Sequence, residues 1–255
     1  MKNMDVLSVL FPAMAVLSAA LAALNCYLPS AATVSKTNPI LVELFTSEGC
    51  SSCPPADKLL SELRRTQPNV IVLSEHVDYW NYLGWKDPFS TKDSTDRQIG
   101  YCQKLGVASP YTPQAVVDGK YQFVGSNSSS LQSAISQGAQ DLTIPVNLQL
   151  IEMQPQKLTA KASYEGSISP ADILFFLVQD NVIVNVGGGE NGGRHLLHDG
   201  VVRQRKLIQN VKEKNYAEAE FLFPSDYKSG KWRVVALVER KNEICGATQR
   251  LVEVK

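Results

Sequence analysis

The chain has 255 residues, 44% of them hydrophobic, with 25 Lys and Arg against 25 Asp and Glu. The length predicts two domains, and the apolar content predicts a core that folds without disulfides. The even balance of charge, with no block of either sign, removes the electrostatic case for nucleic acid or an anionic membrane as partner.

Residues 1–32 stand apart. Lys2 is their one basic residue and Asp5 their one acidic residue. Val6 to Leu24 is Ala-rich and almost purely apolar, broken by Pro12, and Ser30-Ala31-Ala32 follows. This reads as an export signal over residues 1–32, cut near Ala32, so the protein is expected to be periplasmic or secreted. A run of this length also suits an uncleaved N-terminal anchor. A lipoprotein role for Cys26 is disfavoured by the preceding Asn25. Cys50, Cys53, Cys102 and Cys245 remain after cleavage, in a compartment that permits disulfides.

Residues 38–140 read as one compact unit. Ile40 to Phe45 is a near-continuous apolar run of strand length, interrupted by Glu43. Leu59, Leu60 and Leu63 give Ala56–Arg65 a helical period, and Pro68 closes it. Val70–Leu73 is a second buried strand. Five aromatics fall between Tyr79 and Phe89 with no clean period and with Gly and Pro among them, which is loop chemistry. Thr91–Leu105 is a helix stopped by Gly106. Gln114–Val117 and Tyr121–Val124 are strands joined through Asp118-Gly119, a hairpin signal, and Ser128–Gln137 is a helix. Strand-helix-strand requires a parallel pair, so a mixed sheet with helices on both faces is expected. From residue 141 to 255 about eight short, partly alternating strands predict a β-sandwich.

Within the first unit, Cys50-Ser51-Ser52-Cys53 lies between a strand and a helix. In that setting the spacing suits dithiol chemistry: one thiolate attacks a disulfide and the other resolves the mixed disulfide. Cys50 is the candidate nucleophile and Cys53 the resolving thiol. Pro54 and Pro55 fit a helix's first turn, so the helix is expected to begin at Pro54 with Cys53 as cap. Cys50 would then receive less help from the helix dipole. Two other readings stay open, a closed structural disulfide within a binding or assembly module, and Cu(I) or Zn(II) held by Cys50, Cys53 and His76. No second Cys-x-x-Cys supports the metal. No cofactor is expected. The glycines of 187–193 follow no helix-opening phosphate motif and read as a turn-rich hairpin connection. Asp78, Trp80 and Trp85 of the aromatic loop are candidate substrate-binding residues, forming a platform beside the thiols; the alternative is that the aromatics pack the two domains together. Cys102 and Cys245 are either buried thiols or a bridge.

The stretch Val42 to Asp57, the loop His76 to Phe89, Tyr111 to Gly119, Gly189 to Arg194 and His198 to Arg203 together resemble one exported family, domain-of-unknown-function family 1223, a set of thioredoxin-like proteins. The resemblance covers nearly the whole mature chain. It implies an exported protein whose first unit is an α/β thioredoxin-like domain, ahead of the all-β sandwich-like domain read from the strand pattern, and it assigns no activity or substrate. The Cys-x-x-Cys in its setting makes thiol–disulfide oxidoreductase activity on a protein or small-molecule thiol or disulfide the expectation. The resemblance also implies that Glu43 relays a proton to or from Cys53, the alternative being a carboxylate that reaches solvent or an internal partner. It implies further that Pro113 is cis with Thr112 presenting backbone groups to the sulfurs, the alternative being a trans proline that starts the strand.

Overall fold

A computed structural model describes residues 39–253 except 142, 155, 169, 213, 214, 226–229 and 242; the signal or anchor read in residues 1–32 lies outside the described residues. Strand β1 (Ile40–Thr46) is buried at every position, as its apolar run requires for a strand covered on both faces. It pairs in parallel with β2 (Val70–His76), from Ile40 opposite Val70 to Thr46 opposite His76. Helix α1 (Pro54–Thr66) makes the crossover and buries Ala56, Leu60 and Leu63 against Ile40, Val42, Leu44 and Val72. Helix α2 (Lys92–Leu105) opens on Thr91, whose hydroxyl accepts the Ser94 amide at 3.0 Å, and closes on Gly106.

Strand β3 (Gln114–Val117) runs antiparallel to β1, and β4 (Tyr121–Val124) returns beside it. Asp118 and Gly119 make the turn with φ of 48° and 65°, closed by the Lys120 amide on the Val117 carbonyl at 2.9 Å. Helix α3 (Ser128–Gly138) is capped by Asn127, which accepts the Ser130 amide at 3.0 Å. Among the described residues nine strands follow: β5 (Val146–Gln154), β6 (Lys157–Tyr164), β7 (Ala171–Asp180), β8 (Val182–Asn185), β9 (His195–His198), β10 (Val201–Val211), β11 (Tyr216–Leu222), β12 (Lys231–Arg240) and β13 (Glu243–Val252).

The expected α/β thioredoxin-like domain followed by a separate sandwich is overturned. The fold is mostly β, and strands of both halves build one mixed eight-stranded sheet in the order β13-β12-β7-β10-β2-β1-β3-β4. The join is β10 beside β2, with Val201 opposite Ser74 and the Ser74 amide bonded to the Gly200 carbonyl at 2.6 Å. Gly200 turns there at φ 74°, and an added Cβ would lie 2.8 Å from the Val72 carbonyl oxygen. Buried Arg233 of β12 reaches the same carbonyl at 2.6 Å and pairs with Asp180 at 3.1 Å. Leu41, Ile71 and Leu73 share one core with Leu174, Phe176, Val235 and Leu237. Periodicity names strands and their buried faces, but it does not name neighbours. The open edge of β2 needs a strand, and β10 supplies it.

The described residues form one compact unit. Strands β11-β6-β5 make a second, antiparallel sheet. Alternate residues Leu158, Ala160, Ala162 and Tyr164 of β6 pack on Phe175, Phe221 and Trp232. The hairpin β8–β9 carries the glycine-rich connection to the Cys50 loop. Among the described residues no helix is long and apolar enough to cross a membrane.

Candidate functional site

The chain leaves β1 at Thr46 and turns tightly, with the Cys50 amide on the Ser47 carbonyl at 3.1 Å and the Cys53 amide on the Cys50 carbonyl at 3.2 Å. Helix α1 starts at Pro54, with both prolines in its first turn and Cys53 as N-cap. Cys53 takes a helical φ, ψ of −77°, −38° despite the proline after it. Its carbonyl accepts the amides of Ala56 at 2.9 Å and Asp57 at 3.1 Å. Both thiols are free and buried; Cys50 is 1% exposed.

The two sulfurs are driven in opposite directions. Cys50 is pushed down from 9.0 to about 6, chiefly by a hydrogen bond with the Cys53 thiol, which outweighs burial with the help of Ser52 and Thr112. Its Sγ lies 3.2 Å from Ser52 Oγ and, as a thiol, donates to the Thr112 carbonyl at 3.8 Å. Cys53 is pushed well above 9.0 by burial first, with Cys50 and the Asp57 carboxylate adding to it. Neighbouring side chains, rather than the helix dipole alone, therefore favour the Cys50 thiolate. The Thr112–Pro113 peptide is cis, and Trp80 Nε1 donates to Thr112 Oγ1 at 2.7 Å, holding that residue beside the sulfur.

Glu43 is not part of this group. Val42 and Leu44 face α1, so by strand alternation Glu43 points to the opposite side of the sheet. There it pairs with Arg97, whose Nη2 lies 3.1 Å from Oε2, and accepts the Tyr101 hydroxyl; Arg97 also reaches Glu239 at 3.0 Å. The relay that resemblance assigned to Glu43 is thus corrected: the carboxylate on the Cys53 side is Asp57, one helical turn along α1. Asp78 is engaged with Thr95 of α2, accepting its hydroxyl at 2.6 Å. Trp85 Nε1 donates to Glu48 Oε2 at 2.7 Å, and its ring lies on the glycines of the β8–β9 connection. Trp80 and Trp85 are therefore packed, whereas Tyr82 is 78% exposed.

The β8–β9 connection is the hairpin link that its glycines predict, and it also brings two side chains to the Cys50 turn. Glu190 Oε2 accepts the Ser51 amide at 2.8 Å, which holds that carboxyl below its ordinary range. Asn191 Nδ2 donates to the carbonyls of Glu48 and Cys50 at 2.9 and 2.8 Å. A Cβ on Gly187 would lie 2.6 Å from the Trp85 ring, and one on Gly188 would lie 2.9 Å from the Gly84 carbonyl oxygen. These two glycines are needed because the connection presses on the aromatic loop at Gly84 and Trp85. Their bunching was the available signal, together with Glu190-Asn191 among them.

Beneath the Cys50 turn lie five buried ionisable side chains: Glu48, Asp57, His76, Asp87 and His198. His76 Nδ1 is 2.7 Å from Asp87 Oδ2, which also accepts the Glu48 amide at 2.9 Å. His198 stands between Glu48 and Asp57, with Nε2 3.5 Å from Glu48 Oε1 and Nδ1 3.9 Å from Asp57 Oδ2. The two imidazoles meet edge to face at 4.9 Å. Among the described residues no three His, Cys, Asp or Glu side chains are arranged to hold a metal ion. Cys102 and Cys245 are free thiols, the first buried and the second half-buried.

The fold and site define a mostly β protein with a dithiol where its first strand turns into a helix. The chain belongs to the family described as "Protein of unknown function (DUF1223)", whose model matches residues 41–239. It is similar to the crystal structure of protein AGR_C_4864 from Agrobacterium tumefaciens, at 27% identity and a TM-score of 0.63, over 85% of this chain and 96% of that one. A likeness to the human F-spondin reeler domain, at 7% identity and a TM-score of 0.24 over 45% of this chain and 93% of that one, is too slight to bear on the fold. Among curated proteins none matches the chain.

Proposed function

We propose that the protein exchanges thiols and disulfides on an exported substrate, with Cys50 attacking and Cys53 resolving. One observation carries the reading: Cys50 Sγ sits 3.2 Å from Ser52 Oγ and 3.8 Å from the Thr112 carbonyl beside a cis proline, at the mouth of the helix that Cys53 caps, and this setting favours the Cys50 thiolate. A nucleophile with a pKa near 6 is ionised at neutral pH, and exchange is fastest when the attacking thiol titrates near ambient pH. Thiolate Cys50 attacks a substrate disulfide, forms a mixed disulfide and expels one substrate thiolate. Cys53 then attacks Cys50 Sγ, closes the Cys50–Cys53 disulfide and expels the second. The substrate gains the two electrons that the pair loses. The Thr112 carbonyl, positioned by Trp80, lies beside the attacking sulfur, where an extended peptide could align. The apolar, Ala-rich first 32 residues support export, where such substrates occur.

The competing reading is a structural pair, and the 1% exposure of Cys50 under Glu190 and Asn191 favours it. Redox titration with thiol alkylation separates the two. A reversible Cys50–Cys53 midpoint between about −300 and −100 mV fits exchange, whereas a pair still oxidised in strong reductant fits a structural disulfide. Cys53→Ser should also trap a mixed disulfide through Cys50.

A further inference from the structure

Resolution requires Cys53 to lose its proton in a site closed to water. Asp57 is one helical turn beyond Cys53, its amide bonded to the Cys53 carbonyl at 3.1 Å, so the two side chains share the buried face of α1. Thr46 Oγ1 donates to Asp57 Oδ1 at 2.9 Å, which leaves Oδ2 turned to His198 Nδ1 at 3.9 Å. The far nitrogen of His198 faces Glu48 Oε1 at 3.5 Å.

The surroundings of Asp57 can be counted. Glu48 comes from the loop after β1, His76 from β2, Asp87 from the loop before α2 and His198 from β9. Arg203 lies beyond Phe89, 5.1 Å over its ring, and Phe89 meets both imidazoles in T-shaped contacts. The cluster holds three carboxylates and two imidazoles, so even with both imidazoles charged one carboxylate is in excess. In a buried site that excess favours one more proton. His76 and Asp87 satisfy each other at 2.7 Å. Glu48 Oε1, both ring nitrogens of His198 and the remaining nitrogen of His76 have no hydrogen bond among the described residues. Purely structural polar clusters are normally satisfied; this one retains unused donors and acceptors around Asp57.

We propose that Asp57, backed by His198 and Glu48, is the proton carrier of Cys53. The inference rests on the exchange reading above. In the mixed disulfide the Cys53 proton passes to the Asp57 carboxylate. The Cys53 thiolate attacks Cys50 Sγ; the Cys50–Cys53 bond forms as the Cys50–substrate bond breaks, and the substrate leaves as a thiolate. When a reducing dithiol later opens the disulfide, the proton returns to Cys53. His198 shares the proton between Asp57 and Glu48 by small movements of its ring. Burial, which raises the Asp57 carboxyl against the opposing charges of His198 and His76, suits it to this exchange.

The test follows two steps in the full-length protein, reduced and mixed with the aromatic disulfide 5,5′-dithiobis(2-nitrobenzoate). Acid quench and peptide mass spectrometry report the mixed disulfide on Cys50 and then its conversion to Cys50–Cys53, across pH 5 to 10. Asp57→Asn is expected to leave the first step within about twofold of wild type and to slow the second about tenfold or more at pH 7, the gap closing where hydroxide replaces the carrier. His198→Gln is expected to move the pH profile of the second step alone. It also carries the test if Asp57→Asn does not fold, and Asp57→Glu should restore most of the lost rate. Unchanged second-step profiles in the folded variants overturn the relay, as does an equal, pH-independent fall in both steps. A wild-type protein that forms the mixed disulfide and never closes it overturns the exchange reading itself.

Discussion

The side-chain amide of Asn191 donates to the backbone carbonyl of Cys50 at 2.8 Å, across 141 positions of sequence. Together with its bond to the Glu48 carbonyl, it ties the β8–β9 connection onto the turn that carries the nucleophile. Removing a partner from buried carbonyls costs about 1–3 kcal/mol. If about 1.4 kcal/mol of that is lost from local opening, Asn191→Ala speeds iodoacetamide labelling of Cys50 about tenfold. Peptide mass spectrometry separates Cys50 from half-buried Cys245, and an unchanged Cys50 rate would show that the loop is not its cover.

Cys50 labelling should report its own titration. With its pKa lowered from 9.0 to about 6, the rate should rise through pH 6 and level off by about pH 8. Ser52→Ala removes the hydroxyl 3.2 Å from the sulfur and should move the midpoint upward. A hydrogen bond to a charged group is worth roughly 1.5 kcal/mol, so at pH 6 the rate falls about sevenfold. A midpoint near 9 in wild type would remove the basis for assigning Cys50 as nucleophile.

Glu43 is expected to matter for stability. It is fully buried, and Arg97 beside it is 8% exposed. Glu43→Gln leaves the guanidinium with Glu239 as its remaining carboxylate. Breaking such a pair from one side costs about 3 kcal/mol. Urea unfolding at pH 7 measures this as a lower midpoint at unchanged slope; an unchanged midpoint would contradict the pairing.

Asp118 should give the protein a pH-dependent stability. Burial raises its carboxyl from 3.8 to about 6, against the Leu41 amide that it accepts at 2.8 Å. The folded state therefore holds this proton more tightly than the unfolded chain. Its contribution is fully present below about pH 4 and is lost as pH rises to about 6. Asp118→Asn keeps an acceptor for Leu41 and tolerates the left-handed turn. Its stability relative to wild type should rise between pH 4 and 6 and then stay constant, as urea titrations at each pH will show.

Sequence alone determined the local elements and the reactive pair. The apolar run of β1, the leucine period of α1, Thr91 and Gly106 at the ends of α2 and Asp118-Gly119 at the turn are short-range signals, and each specifies its own backbone. The two cysteines and the prolines after them placed Cys53 at the mouth of α1 for the same reason. Tertiary structure decided what touches what. Strand β10 joins β2 through backbone groups that carry no residue code, and so a mixed sheet replaces two separate domains. Glu43 lies nearer Cys50 in sequence than Asn191 does, yet strand alternation turns it to Arg97, away from the thiols. Asp57, His198, Glu190 and Asn191 reach the site because α1 and the β8–β9 hairpin converge there. Local spacing cannot encode that convergence, which depends on how buried faces close against one another.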